Sequence, residues 1–189
     1  MKRFLPLIFI ASLFAVFRVV SIVVDGFPIN SAPLSALFLC GLWFAGARGL
    51  MLTGVLWLVA YPLLSVLHGY AVGADFIASV VGLASVTGIA YFMMQRFSKG
   101  FWQAMVGGLL GALAFYLITN TFSWIANPLY TKDLSGFYQA QWSGHPTYSL
   151  PTWVFLRNSL AGNALFIACY WLGQVSFLRK EGLREASVA

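Results

Sequence analysis

The sequence predicts an all-α integral membrane protein of about six transmembrane helices, with both ends cytoplasmic. Three observations predict it. Of 189 residues 60% are hydrophobic and only 8% charged, with a mean hydropathy of +0.83; a soluble domain carries roughly a quarter charged residues, because its surface must be wetted. The apolar residues fall into runs near the ~20 residues that span a bilayer. The basic residues gather in alternate connections between those runs, which is how a membrane protein is oriented.

The elements follow in order, within a single domain, 1–178. Residues 5–24 supply the first span. Lys2-Arg3 before an apolar run imitates a secretory signal, but the run continues through Val24 with no clean cleavage site, so it reads as a retained helix. Asp25 to Asn30 is a turn, and Pro33 opens a second, short segment, 33–45. Residues 46–49 form a tight connection carrying Arg48, and 50–67 is the third segment, with Pro62 removing a backbone donor. The fourth is 76–94, the fifth 101–125 and the sixth 153–178, with a long loop, 126–152, before the last. Residues 179–189 form a charged cytoplasmic tail.

Charge fixes the orientation. With the N-terminus inside, the inner connections hold Lys2, Arg3, Arg48, Arg96, Lys99, Arg179, Lys180 and Arg184, and the outer ones hold Lys132 alone. The net charge of +6 is therefore no argument for nucleic acid. Cys40 and Cys169 both lie inside apolar runs, which excludes a disulfide scaffold.

Two arginines remain, Arg18 and Arg157, each within a span and both toward the outer end. A charge in a span costs several kcal/mol unless paired, hydrated or snorkelling. Two readings stand for each: a long stem reaching the interface, or a guanidinium facing an outward cavity and an anionic or carbonyl-bearing ligand. Polar residues cluster at the same end: Asn30, Ser31, His68, Asp75, Thr119, Asn120, Thr121, Ser123, Asn158 and Asn163. Singly they read as caps and interhelical hydrogen bonds, and as a set they read as the mouth of a small-molecule site.

The loop 126–152 is longer and more aromatic than a connector requires, with Tyr130, Phe137, Tyr138, Trp142 and Tyr148. It reads either as an interfacial belt or as a lid, helical from Ser135 to Gln141. Small residues four apart, Ala11/Ala15, Ala78/Gly82 and Gly107/Gly111, predict close helix approach. Zincin, Walker and nucleophile-elbow motifs are missing from the sequence, so no enzyme, cofactor or metal is expected.

Ala11-Ser12-Leu13-Phe14-Ala15, within this six-helix pattern, resembles the AxxxA motif of the substrate-binding S components of energy-coupling factor (ECF) vitamin transporters. Asn30 to Leu37 and Phe155 to Asn163 look like segments of a family of S-component-like bacterial membrane proteins, and the resemblance runs from about Leu5 to Leu178. It implies an S-component-like bundle in the bacterial inner membrane with an outward-facing pocket. It implies capture of a vitamin-like nutrient outside and toppling of the subunit to release it inside. Ala11 and Ala15 would dock on the coupling subunit that works with ATPases, although some S components act alone. Arg18 shares the face of Ala11 and Ala15 by the i, i+4, i+7 rule. In a branch that carries vitamin B12 a cysteine lies near the cobalt; Cys40 is deep in the second segment and does not match it.

The functional expectation is therefore a membrane subunit for uptake of a small vitamin-like molecule. Arg18, Asn30, Asn120, Tyr138, Trp142, Arg157 and Asn158 are its candidate ligand-binding residues. The alternative is a non-transporting accessory or structural subunit of a larger membrane complex, with the long loop as the partner contact.

Overall fold

The computed structural model describes residues 5–23, 33–67, 74–147 and 150–186, with side chains over 7–17, 19–20, 33–63, 76–147 and 150–174. They form α1 (Leu5–Val23), α2 (Leu34–Leu67), α3 (Ala74–Arg96), α4 (Phe101–Ala126), α5 (Leu134–Gln141) and α6 (Thr152–Ala186). No strand occurs among the described residues.

α2 is two helices joined at one residue. Gly46 takes φ 60° and ψ −144°, a left-handed φ that costs glycine nothing because it has no Cβ. The chain folds back there. A Cβ on Gly49 would strike the Gly41 carbonyl, and one on Gly41 would strike the Thr53 methyl; in a straight helix residues 41 and 49 would stand about 12 Å apart. Phe38 likewise shares a groove with Gly54 and Trp57. Each of these pairs brackets Gly46, so the arms 34–45 and 47–67 run antiparallel. The break expected over 46–49 is thus made at its first residue, and the helix resumes at once.

The first arm is the centre of the molecule. Every residue from Ser35 to Trp43 is buried. Its stretch Leu34–Trp43 has a single polar side chain, Ser35, and a helix apolar all round has no face to give to solvent. At 1.5 Å per residue the arm rises only about 18 Å, well short of the ~30 Å hydrocarbon layer. Around it pack Ile10 and Phe14 of α1, Val86 and Ala90 of α3, Ala104 of α4, and Phe166, Ile167 and Tyr170 of α6. The Trp43 indole N–H donates to the Ala90 carbonyl (2.9 Å). Phe44 and Phe9 meet the Tyr170 ring at 5.0 and 5.4 Å, and Phe17 meets Phe166 at 5.4 Å.

Outward faces are as apolar as the core: Met51, Trp102 and Leu172 are 71%, 72% and 67% exposed. Exposed hydrophobic surface on this scale requires an apolar surrounding. Among the described residues, three helical stretches are by length and composition apolar enough to cross a membrane: Phe76–Arg96, Phe101–Ala126 and Leu34–Leu63, the last counted as one although it folds at Gly46. The small-residue pairs divide. Gly107 and Gly111 receive Leu39 and Ser35 of α2, and Gly82 receives the Phe115 ring. Ala11 is half-buried and Ala15 exposed. α6 runs past the expected end at 178 as far as Ala186.

Candidate functional site

The N-terminal end of the buried arm opens onto a cavity of about 210 Å³. Leu34 and Ser35 line it from α2. Ala112, Phe115, Tyr116 and Thr119 line it from α4 at i, i+3, i+4 and i+7, the spacing that puts residues on one helix face. Phe155, Ser159 and Asn163 do the same from α6 at intervals of four. Gly111 lets the helices close at this level, because a Cβ there would occupy the position of the Ser35 hydroxyl.

The first turn of any helix leaves N–H groups without intrahelical acceptors. Here Asn163, 1% exposed, reaches across from α6, and its Oδ1 accepts from Ala36 N–H at 2.7 Å. Its Nδ2 donates to the Ser159 carbonyl (2.7 Å) and lies 3.3 Å from the Ser159 hydroxyl. One asparagine therefore caps the buried arm and is itself anchored to α6. Leu34 and Ser35 N–H take no acceptor among the described residues. The Ser35 hydroxyl is buried and has no partner either. The positive end of the arm's dipole therefore lies at this wall, while the Ser35 hydroxyl is packed into the seam against Gly111 of α4. The other walls are mostly hydrocarbon and aromatic ring.

Tyr116 links the cavity to the long loop, donating its hydroxyl to the Gln141 carbonyl at the end of α5. The Gln141 Nε2 donates to Thr121 Oγ1 (3.0 Å) and the Leu117 carbonyl (3.3 Å), while its Oε1 is buried without a partner. Phe137 packs edge-on against Trp124 at 5.4 Å. α5 is therefore strapped along the end of α4. It is a single short helix close to the stretch 135–141 expected from sequence, and Asp133 caps it, accepting from Gly136 N–H at 2.7 Å. Lys132 donates to the carbonyls of Trp124 and Asn127 (2.7 Å to the latter), placing a cation on the negative end of α4.

The expected site residues are distributed as follows. Asn120 lies one residue beyond Thr119 and donates to the Tyr116 carbonyl at 2.9 Å within α4. Arg157 points away from the cavity. It stands about 200° around α6 from both Phe155 and Ser159, with its guanidinium 5.4 Å from the Trp153 ring and 3.2 Å from Asn158 Oδ1. Tyr138 is exposed, and Trp142, half-exposed, stacks on Trp153 at 6.4 Å. None of these five lines the cavity. Arg18 lies in α1 with its side chain outside the described residues, as is Asn30 entirely. Its neighbour Phe17 meets α6 at Phe166, roughly 13 Å along the axis from Arg157. Ser35, Tyr116 and Ser159 were not singled out by sequence reasoning. Ser35 carried the available signal as the one polar residue in an apolar stretch.

Fold and site together define an all-helical protein of membrane type with a small, polar-ended cavity beside a strapped loop helix. The chain belongs to the family described as Family of unknown function (DUF6580), which matches residues 1–183. No curated protein and no solved structure matches it.

Proposed function

We propose that the protein is a substrate-binding membrane subunit that captures a small vitamin-like nutrient, in the manner of an ECF S component. α1, the two arms of α2, α3, α4 and α6 are its six membrane-embedded segments, the first arm of α2 being too short to cross the layer alone, and the cavity end faces outward. Positive charge supports this orientation: Arg48, Arg96 and Lys99 gather round the Gly46 turn, with Lys99 donating to the Trp43 carbonyl. The opposite end carries the cavity. Positive connections mark the cytoplasmic side, and a cavity at the other end is placed to collect solute from outside.

One observation carries the reading: the N-terminal end of the buried arm of α2 ends on a walled cavity, lined by Tyr116, Thr119, Ser159 and Asn163 among apolar side chains, instead of on close packing. The volume equals roughly seven waters and falls below the ~300 Å³ common for drug-sized ligands. A compact molecule fits the site as it stands. The half-buried and exposed Ala11 and Ala15 leave one face of α1 for a coupling subunit.

Native mass spectrometry of the protein in mild detergent tests this. A retained small molecule, lost in Asn163→Ala, is the expected result. An empty protein bound stoichiometrically to another membrane subunit would replace capture with an accessory role.

A further inference from the structure

Arg157 stands on a different surface from the cavity. It heads a stripe of exposed residues on α6, followed by Ala161, Leu165 and Leu172 at intervals of four, four and seven, which fall within about 80° of the helix circumference. The apolar members of that stripe face the same apolar surrounding as the rest of the exterior. We infer that Arg157, with Trp153 and Trp142, forms a headgroup site for an anionic phospholipid in the leaflet at the cavity end.

α4 sets the depth. About 20 of its residues, counted from the exposed Trp102, fill the hydrocarbon layer and end in the polar run Thr119-Asn120-Thr121. Tyr116 and Thr119 line the cavity together with Phe155 and Ser159, so Arg157, between the last two, lies within about one turn of that boundary. Side chains lean toward the N-terminus of their helix, which for α6 is this end. The guanidinium accordingly sits 5.4 Å from the Trp153 ring, one turn farther out. Trp153 N–H donates to the Trp142 carbonyl at 3.0 Å and the two indoles stack, joining α5 to α6 at this level. The exposed Tyr138 lies one turn before Trp142. Tyr and Trp favour the headgroup layer.

Charge names the occupant. A guanidinium has five N–H donors. Here Nε and Nη2 each give one to Asn158 Oδ1, and three remain. Asp133, the one carboxylate whose side chain is described, bonds Thr131 and Gly136 instead. A cation on a lipid-facing stripe without a counter-ion is costly, and a lipid phosphodiester supplies both the charge and the paired oxygens that fit the planar fork. One unanswered positive charge matches a lipid with one net negative charge. The ammonium of a zwitterionic headgroup would bring a second positive charge back beside Arg157. Ala161 and Leu165 continue below as an apolar track for an acyl chain.

Native mass spectrometry of the full-length protein in mild detergent tests the site, titrated with palmitoyl-oleoyl phosphatidylglycerol and, separately, with the matching phosphatidylcholine. The first phosphatidylglycerol should bind about fivefold tighter than phosphatidylcholine. Arg157→Ala should weaken it about tenfold, and Arg157→Lys, which keeps the charge and loses the fork, by less. Phosphatidylcholine binding as tightly as phosphatidylglycerol, or phosphatidylglycerol affinity unaltered in Arg157→Ala, overturns the site. An equal loss in Arg48→Ala, at the opposite end of the molecule, overturns it too, because net charge alone would then hold the lipid. The cavity takes no part in these contacts, so capture stands or falls separately.

Discussion

The two ends of the buried arm of α2 are built on opposite principles. At its C-terminal end contacts from other elements close the helix. Lys99 donates to the Trp43 carbonyl, the Trp43 indole is tied to Ala90, and Gly41 and Gly49 bring the returning arm into backbone contact. At its N-terminal end one asparagine caps one N–H, and beyond it lie an unpartnered serine and a cavity. The same apolar helix is thus sealed at one end and left unfinished at the other. A protein that only needed to pack would fill both ends, and that contrast separates the part that holds the fold from the part free to serve a ligand.

Breaking the sealed end should have the largest effect. In Gly49→Val the new side chain would collide with the Gly41 carbonyl, which is backbone and cannot rotate away. The hairpin at Gly46 must then open, and the centre of the core goes with it. We expect a loss exceeding about 3 kcal/mol, seen as failure to purify as a monodisperse species. A variant that melts within a few degrees of the parent would show that the arms do not depend on this contact.

At the open end, Asn163→Ala removes the acceptor of Ala36 N–H and leaves a buried donor beside a new hole. The expected cost is about 2 kcal/mol, smaller than at the hairpin because water can enter from the cavity. Thermal unfolding should show a lowered midpoint with the helical content intact. An equal loss in Asn163→Ala and Gly49→Val would erase the distinction between the ends.

Hydrophobic patterning made the helices legible, and glycine made the main turn legible. The runs ending near Ala45 and opening near Leu50 predicted a break, and the structure makes it at Gly46. The cavity was less legible, for a physical reason. Arginine in an apolar span is the loudest polar signal a sequence offers, yet within the protein Arg157 turns to Trp153 and Asn158 along its own helix. Ser35 is quiet in sequence because a serine in a helix ordinarily bonds back to its own backbone. Only the structure shows that this one does not. Asn163 is similar, since its role depends on contact with a residue 127 positions away, which no local pattern encodes. The loop helix was visible as a stretch, whereas its attachment through Tyr116 was not.

The smallest expected effect concerns α5, the strap beside the open end, and it is a pH effect. Gly136 N–H donates to the Asp133 carboxylate, and the Thr131 hydroxyl adds a second bond at 2.8 Å. Both favour the ionised form and hold its pKa below the usual carboxylate range. A carboxylate depressed in the folded state contributes stability that is present above its unfolded pKa and is lost as pH falls through its folded pKa. α5 should therefore be equally protected at neutral and mildly acidic pH and loosen only under stronger acid. Asn caps a helix without titrating, so Asp133→Asn should remove that acid step. Amide exchange over 134–142, compared between parent and variant at matched pH, reads it directly. If both lose protection together on acidification, the cap is not what holds α5 to α4. The contacts of Tyr116, Thr121 and Trp124 would then carry the strap alone, and α5 would stay docked on the end of α4 whatever the charge on Asp133.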